Sequence, residues 1–229
     1  MTNKIKDVFV IIPVYNEERM IGSVVDSLKK KFANIVCVDD GSSDKSLAII
    51  KSKNVHTLKH LINLGQGASL QTGIDFGMLN GARYFLTFDS DGQHDLKDSL
   101  QMIKLIKKTN VDVILGSRFL NNQHHKEIPF LRKLILKIAI KLSNFFSNVN
   151  LTDTHNGLRV FNLKFAKKLK IKLNRMSHPS DFLKNISKNK FKFKEYSSKI
   201  IYSDYSISKG QKNINSFNIL FDMIFGIFR

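Results

Sequence analysis

Five short strand-like segments alternate with helical periodicity through the first 115 residues, and this rhythm constrains the fold more than any other feature of the chain. The segments are the apolar runs 8–12 (VFVII) and 35–38 (IVCV), then 55–58 (VHTL), 84–88 (YFLTF) and 111–115 (VDVIL). Between them, apolar residues recur at helical spacing: Ile21, Val24, Val25 and Leu28, then Leu47, Ile49 and Ile50, then residues 68–79, then Leu96, Leu100, Ile103 and Ile106. Continuous apolar runs suit strands covered on both faces, and their alternation with helices predicts an α/β fold with a doubly wound, mostly parallel sheet. Such sheets bind ligands at the carboxyl ends of their strands. The polar clusters Tyr15-Asn16-Glu17, Asp39-Asp40, Asp89-Ser90-Asp91 and Ser117-Arg118 all stand at such ends, which raises the expectation of a nucleotide-phosphate site. Asn16 is positioned to cap the first helix, with Glu17 and Glu18 in its first turn. The glycine-rich segment Asn63-Leu64-Gly65-Gln66-Gly67 leads into the helix over residues 68–79.

The segment 84–95 (YFLTFDSDGQHD) carries the sharpest chemistry. A strand runs straight into two carboxylates and an amide, and Gly92 permits the turn that lets Asp89, Asp91 and Gln93 converge. Hard oxygen ligands of this kind suit Mg²⁺ or Mn²⁺, with open positions left for water and phosphate. The plainer alternative is an acidic β-turn at a sheet edge. No G-x-G-x-x-G follows the first strand and no G-K-[ST] loop occurs, which counts against NAD binding and P-loop chemistry.

The chain of 229 residues is long enough for one sizeable α/β domain, and its single cysteine, Cys37 in an apolar run, excludes an internal disulfide and fits a small buried hydrophobe in a reducing compartment. No secretory leader is expected, because the opening apolar run is too short for one. The formal net charge of +18 is unevenly spread: residues 1–115 carry 15 Lys+Arg against 13 Asp+Glu, and residues 116–229 carry 22 against 6. An anionic partner of the second half is therefore expected: lipid phosphate, a membrane surface or nucleic acid. Residues 129–146 predict a basic amphipathic helix, with Leu131, Leu134, Ile135, Ile138, Leu142, Phe145 and Phe146 among Arg132, Lys133, Lys137 and Lys141. Such a helix either lies on a membrane surface or packs on the sheet with its lysines solvated. Residues 152–159 predict a polar turn before a short strand, 177–187 a helix and 199–202 a strand. The apolar tail, residues 217–228, is too short to span a bilayer and predicts an interfacial or docking helix.

Taken in order, IPVYNEE (12–18), VDDGSSD (38–44), NLGQGASLQTG (63–73), DSDGQH (89–94), LGSRF (115–119), TDTHNGLRVF (152–161) and YSDYSISKGQ (202–211) resemble the family 2 glycosyltransferases of GT-A fold, in their dolichol/polyprenyl-phosphate sugar synthase-like branch. The resemblance implies a Rossmann-like GT-A domain over 1–212, divided into a nucleotide-sugar half (1–118) and an acceptor half (119–212), followed by an interfacial helix (213–229). It implies a nucleotide pocket of Pro13, Tyr15, Glu17, Asp39, Gly67 and Asp89, and a divalent ion, Mg²⁺ or Mn²⁺, on Asp89, Asp91 and Gln93. Asp91 and Arg118 would serve the reaction, with the acceptor held by Arg118, Arg132, Arg159 and Lys209. Family 2 enzymes invert the anomeric centre. A polyprenyl-phosphate acceptor is already anionic and needs no base. A sugar hydroxyl on a lipid-linked intermediate does, and Asp181, where relatives often carry Glu, is then the candidate. The implied partners are a UDP- or GDP-linked sugar, the lipid-linked acceptor and the membrane surface, with the protein peripheral on the cytoplasmic face and no nucleic acid expected.

The absence of Trp removes the Q-x-x-R-W pattern of processive polysaccharide synthases. Two other classes compete: a nucleotidyltransferase, which would carry a glycine-rich basic loop where this chain reads PVYNEE, and a basic nucleic-acid-binding protein, which would leave the convergent acids unexplained because they repel phosphate without a metal.

Overall fold

The computed structural model describes residues 4–121, 130–172 and 178–201. Strands β1 (Ile5–Val14), β2 (Phe32–Asp39), β3 (His56–Lys59), β4 (Tyr84–Thr87) and β5 (Val113–Ser117) alternate with helices α1 (Ile21–Lys29), α2 (Ser46–Ser52), α3 (Gln66–Leu79) and α4 (Leu96–Lys108). The rest comprises α5 (Phe130–Ser147), β6 (Arg159–Asn162), α6 (Leu163–Ala166), α7 (His178–Asn189) and β7 (Phe193–Ser197). One seven-stranded sheet runs β3-β2-β1-β4-β6-β5-β7. Every pairing is parallel except those of β6, which is antiparallel to both β4 and β5. The predicted doubly wound, mostly parallel sheet is thus present, with one reversed strand, β6, in its interior between β4 and β5.

The two faces bury separate cores. On one, Phe9, Ile11, Val36, Val38, Phe85 and Phe161 pack under Leu70 and Ile74 of α3, Phe165 of α6 and Phe182, Leu183 and Ile186 of α7. On the other, Val8, Val10, Ile12, Leu86 and Val160 pack under α1 and α4 through Ile21, Val25, Leu28, Met102 and Ile106. This is why the strands read as unbroken apolar runs. Cys37 is buried in the second core, and burial pushes its thiol up to about 12, as expected of a packing residue. Helix α3 sits close on the sheet because Gly73 and Gly77 present no side chain to Ile11 and Phe85.

Two local expectations are corrected. Asn16 caps nothing: it adopts φ 53°, and α1 begins later, at Ile21. Its backbone N–H donates to Ser42 Oγ at 3.1 Å and its side-chain oxygen accepts from Ser43 N–H at 2.9 Å, so the residue ties the loop after β1 to the loop after β2. The strand expected at 199–202 lies earlier, as β7, while Ile200 makes a single bridge to His94. β7 is an edge strand reading Phe-Lys-Glu-Tyr-Ser, whose charged and polar residues blunt an open edge and hide the apolar signal.

Helix α5 takes the predicted place. Leu136 and Ile140 are buried, whereas Leu134, Ile138 and Phe145 are exposed beside the exposed Lys137 and Lys141. Among the described residues no helix is long and apolar enough to cross a membrane. The expected apolar tail lies outside the described residues, as does Lys209.

Candidate active site

The carboxyl ends of β1, β2 and β4 and the amino end of α3 enclose a cavity of about 460 Å³. Pro13 lines it at the end of β1 and Tyr15 and Glu17 just after, Asp40 after β2, Asn63, Gly65, Gln66 and Ser69 around the start of α3, and Asp89, Ser90 and Asp91 after β4. Five residues expected from the sequence thus meet there: Pro13, Tyr15, Glu17, Asp89 and Asp91.

The acidic loop is held from several sides. Asp89 accepts from Gln66 Nε2 at 3.1 Å and from His94 Nε2 at 2.9 Å, and His94 itself packs edge-on against Phe88. A carboxylate only accepts, so His94 carries its proton on Nε2. Gly157, across the strand pair from Asp89, has no room for a side chain, because a Cβ there would run into the Asp89 carboxylate. Gly92 turns the chain with φ 76° and packs against Met20. Asp91 accepts from Gln93 N–H at 3.0 Å, so Gln93 is brought to Asp91 through its backbone. Burial, then the charge of Asp89, with a further push from Glu17, raises the Asp91 carboxyl to about 6.

Among the described residues no three His, Cys, Asp or Glu side chains form a closed ligand set. What Asp89, Asp91 and Glu17 form is a partly desolvated concentration of negative charge, and a cation relieves it. That donor set fits a divalent ion held by one or two carboxylates with substrate phosphate and water completing its shell.

The β2 side is built on two adjacent aspartates with different tasks. Asp39 is buried beneath the cavity rather than lining it; its Oδ2 accepts from Ser42 N–H at 3.3 Å and its Oδ1 is buried with no partner. Asp40 accepts from Leu64 N–H at 3.0 Å, Gly65 N–H at 2.8 Å and His60 Nδ1 at 2.7 Å, and His60 Nε2 lies 3.0 Å from Thr72 Oγ1. This carboxylate clamps the glycine-rich loop. Gly41, at φ 70°, packs against the backbone of Ile62 and Asn63, and Gly65 turns into α3 with φ 96°. Gly67 is buried in the first turn of α3 and does not line the cavity. Ser69 lines the cavity, and its Oγ has no partner.

The expected cationic residues separate. Arg118 is buried and forked onto Asp153, with Nε and Nη2 at 2.6 and 2.8 Å from its two oxygens. Against burial, which alone would raise it, the Arg118 charge and hydrogen bonds hold the Asp153 carboxyl below its ordinary range. Arg159 is buried on β6, with its guanidinium 4.4 Å from the Phe182 ring centre. Asp181, in the first turn of α7, accepts from Lys172 N–H at 2.8 Å and does not line the cavity. The Arg132 side chain lies outside the described residues.

Sequence reasoning missed Asp40 as the loop clamp, Gln66 and His94 as the holders of Asp89, Asp153 as the partner of Arg118, and Ser69. Gln66 and His94 stand inside motifs already singled out. Only the folded geometry, however, pairs them with Asp89.

A family model described as Glycosyl transferase family 2 matches residues 9–170. An uncharacterized protein of Methanocaldococcus jannaschii is 36% identical over 225 residues, covering 95% of this chain and 91% of its own. The UDP-N-acetylglucosamine–dolichyl-phosphate N-acetylglucosaminyltransferase of Methanococcus voltae is 31% identical over 243 residues, covering 96% and 95%. Among solved structures, glucosyl-3-phosphoglycerate synthase from Mycobacterium tuberculosis, in complex with Mn²⁺, UDP and phosphoglyceric acid, superimposes with a TM-score of 0.65 at 11% identity, over 96% of this chain and 78% of that one. The architecture is the GT-A fold.

Proposed function

This chain belongs to glycosyl transferase family 2 and is a glycosyltransferase, and from that premise we propose that it moves a sugar from a nucleoside-diphosphate sugar to polyprenyl phosphate at a membrane surface. The observation that carries this is the convergence of Asp89, Asp91 and Glu17 on one cavity at the strand ends, beside a loop clamped by Asp40. The named activity of the Methanococcus voltae relative supports the acceptor class.

In this account the nucleoside lies between Tyr15, 47% exposed at the rim, and the β2 end, where Asp40 lines the cavity and Asp39 is buried beneath it. Asp89, oriented by Gln66 and His94, and Asp91 would hold a divalent ion, Mg²⁺ or Mn²⁺, together with Gln93. Such an ion, when bound, supplies positive charge to the nucleoside diphosphate that departs. The acceptor phosphate oxygen forms a bond to the anomeric carbon from the face opposite the diphosphate, and the bond to the β-phosphate oxygen breaks, inverting the centre. No proton has to be removed from a phosphate acceptor. Consistent with this, the Asp181 carboxylate is turned to the Lys172 backbone, outside the cavity lining. Arg118, fixed by Asp153, would shape the acceptor end of the site, with Arg132 and Lys209 as further cationic groups. Residues 1–118 would then be the donor half, 119–212 the acceptor half and 213–229 an interfacial helix.

Attachment to a membrane surface, which we propose to be the cytoplasmic face, is supported as surface contact by apolar side chains next to the cavity. Leu61 is 91% exposed, Ile62 67%, and Leu64 is also exposed, on the loop whose Asn63 and Gly65 line the pocket. The exposed apolar and basic residues of α5 add to them. Calorimetric titration of UDP and GDP, with and without Mn²⁺, tests the donor side. One diphosphate is expected to bind tightly with metal and at least tenfold more weakly to Asp91→Ala; metal-independent binding that survives this substitution would contradict the proposal.

A further inference from the structure

The loop from His60 to Gln66 belongs to two surfaces at once. Leu61, Ile62 and Leu64 are exposed, whereas Asn63, Gly65 and Gln66 line the cavity. The backbone is held from beneath in this arrangement. His60 N–H donates to the Asp39 carbonyl at 2.8 Å, which carries the β2–β3 ladder one step further. Gly41 lies so close to the backbone of Ile62 and Asn63 that a Cβ there would strike it. The Leu64 and Gly65 N–H groups end on the Asp40 carboxylate.

The same loop is tied to α3, and through α3 to the acidic loop. The His60 ring bridges Asp40 at 2.7 Å and Thr72 of α3 at 3.0 Å. Gln66, the first residue of α3, donates from Nε2 to Asp89 Oδ1 at 3.1 Å. Asn63, Leu64 and Gly65 alone separate Ile62 from Gln66. The apolar tip, the cavity wall and the Asp89 carboxylate are therefore one hydrogen-bonded unit. Water does not favour an outward Leu61 and Ile62, and a loop that withdrew them would have to release the Asp40 hydrogen bonds. A bilayer, which takes up exposed Leu and Ile side chains, selects the outward, clamped loop. A nucleotide resting on Asn63 and Gly65 selects the same state. Two ligands that favour one state strengthen each other, and the effect is reciprocal.

We propose that bilayer contact at Leu61 and Ile62 tightens nucleotide binding in the cavity, through Gln66 and Asp89, so that donor is loaded preferentially at the surface that holds the acceptor. The inference rests on the transferase function and the surface attachment proposed above, and it goes beyond them by linking the two.

The test uses the full chain and vesicles of phosphatidylcholine and phosphatidylglycerol that contain no polyprenyl phosphate. UDP and GDP are titrated with Mn²⁺ by calorimetry, with and without vesicles. The diphosphate that binds is expected to bind about fivefold or more tightly on vesicles. Hydrogen exchange of the Leu64 and Gly65 amides is expected to slow on vesicles before any nucleotide is added. Leu61→Asp with Ile62→Asp should show neither effect, which excludes uptake of Mn²⁺ by the lipid as the cause. Gln66→Met, which removes the donor to Asp89, should still sediment with vesicles, but its nucleotide affinity should be the same with and without them. A vesicle effect retained in Gln66→Met would overturn Gln66 as the link. Equal affinity of the native chain free and on vesicles would overturn the coupling and leave transferase function and attachment intact. A native chain that does not sediment with vesicles would overturn attachment and coupling together, and one that binds neither diphosphate would overturn the transferase reading itself.

Discussion

At the scale of single residues, the site depends on small clearances and on groups kept in one protonation state. Gly157 is the clearest case: a methyl group there meets the Asp89 carboxylate. Gly157→Ala is expected to cost about 1–3 kcal/mol in urea unfolding, as overpacking does, and to weaken metal-dependent nucleotide binding at least tenfold in calorimetry. His155 sets a pH dependence. Burial pushes its imidazole down to about 4, outweighing the attraction of Asp153, and Thr154 Oγ1 lies 2.8 Å from its Nδ1. Because the folded pKa is below the unfolded one, the unfolded chain takes up the proton first as pH falls. This contribution to stability is present above about pH 6.5 and is lost as pH drops towards 4. Between pH 7 and 5 the loss is about 2 kcal/mol, and urea unfolding of His155→Asn should show a slope shallower by about that amount. Equal slopes in the two proteins would contradict it.

Among the elements, the loop between β3 and α3 shows how a site is fixed by one carboxylate. Asp40 accepts two backbone N–H groups and one imidazole, so Asp40→Ala strands several donors at once. The expected cost is about 3 kcal/mol. Hydrogen exchange should show the Leu64 and Gly65 amides losing protection while the strand amides of β1 keep theirs; unchanged Leu64 and Gly65 amides would sink the clamp. The same elements mark what the sequence could and could not tell. The strands β1, β2, β4 and β5 and helices α1 to α4 were legible because burial on both faces and helical periodicity leave strong local signals. Asn16 looked like a cap because it precedes two glutamates, but Ser42 and Ser43, 26 and 27 residues away, decide its conformation. β7 was missed because an edge strand of Lys, Phe and Glu carries no apolar run. The acids of the site were legible as types at strand ends. Their partners Gln66, His94 and Asp153 were not, since pairings across the fold leave no local trace.

For the whole molecule, the sheet gathers the cavity-lining carboxylates at the ends of β1, β2 and β4, while the excess positive charge lies in residues 116–229. That division suits an enzyme that takes a soluble nucleotide from one side and an anionic lipid from a surface. The Leu61 and Ile62 side chains, displayed on the clamped loop, should contribute to such docking. Leu61→Asp with Ile62→Asp is expected to lower sedimentation with vesicles containing anionic lipid several-fold, with nucleotide affinity unchanged; undiminished sedimentation would remove this loop from the docking surface. The central claim is tested most directly by measuring nucleoside diphosphate release from UDP- and GDP-sugars, with Mn²⁺, in the presence and absence of polyprenyl phosphate. Release that requires the lipid phosphate, accompanied by a sugar-phosphate lipid product and abolished in Asp91→Ala, is the predicted result. Release that ignores the lipid phosphate and instead follows a sugar-hydroxyl acceptor, or none at all with any donor, would contradict it.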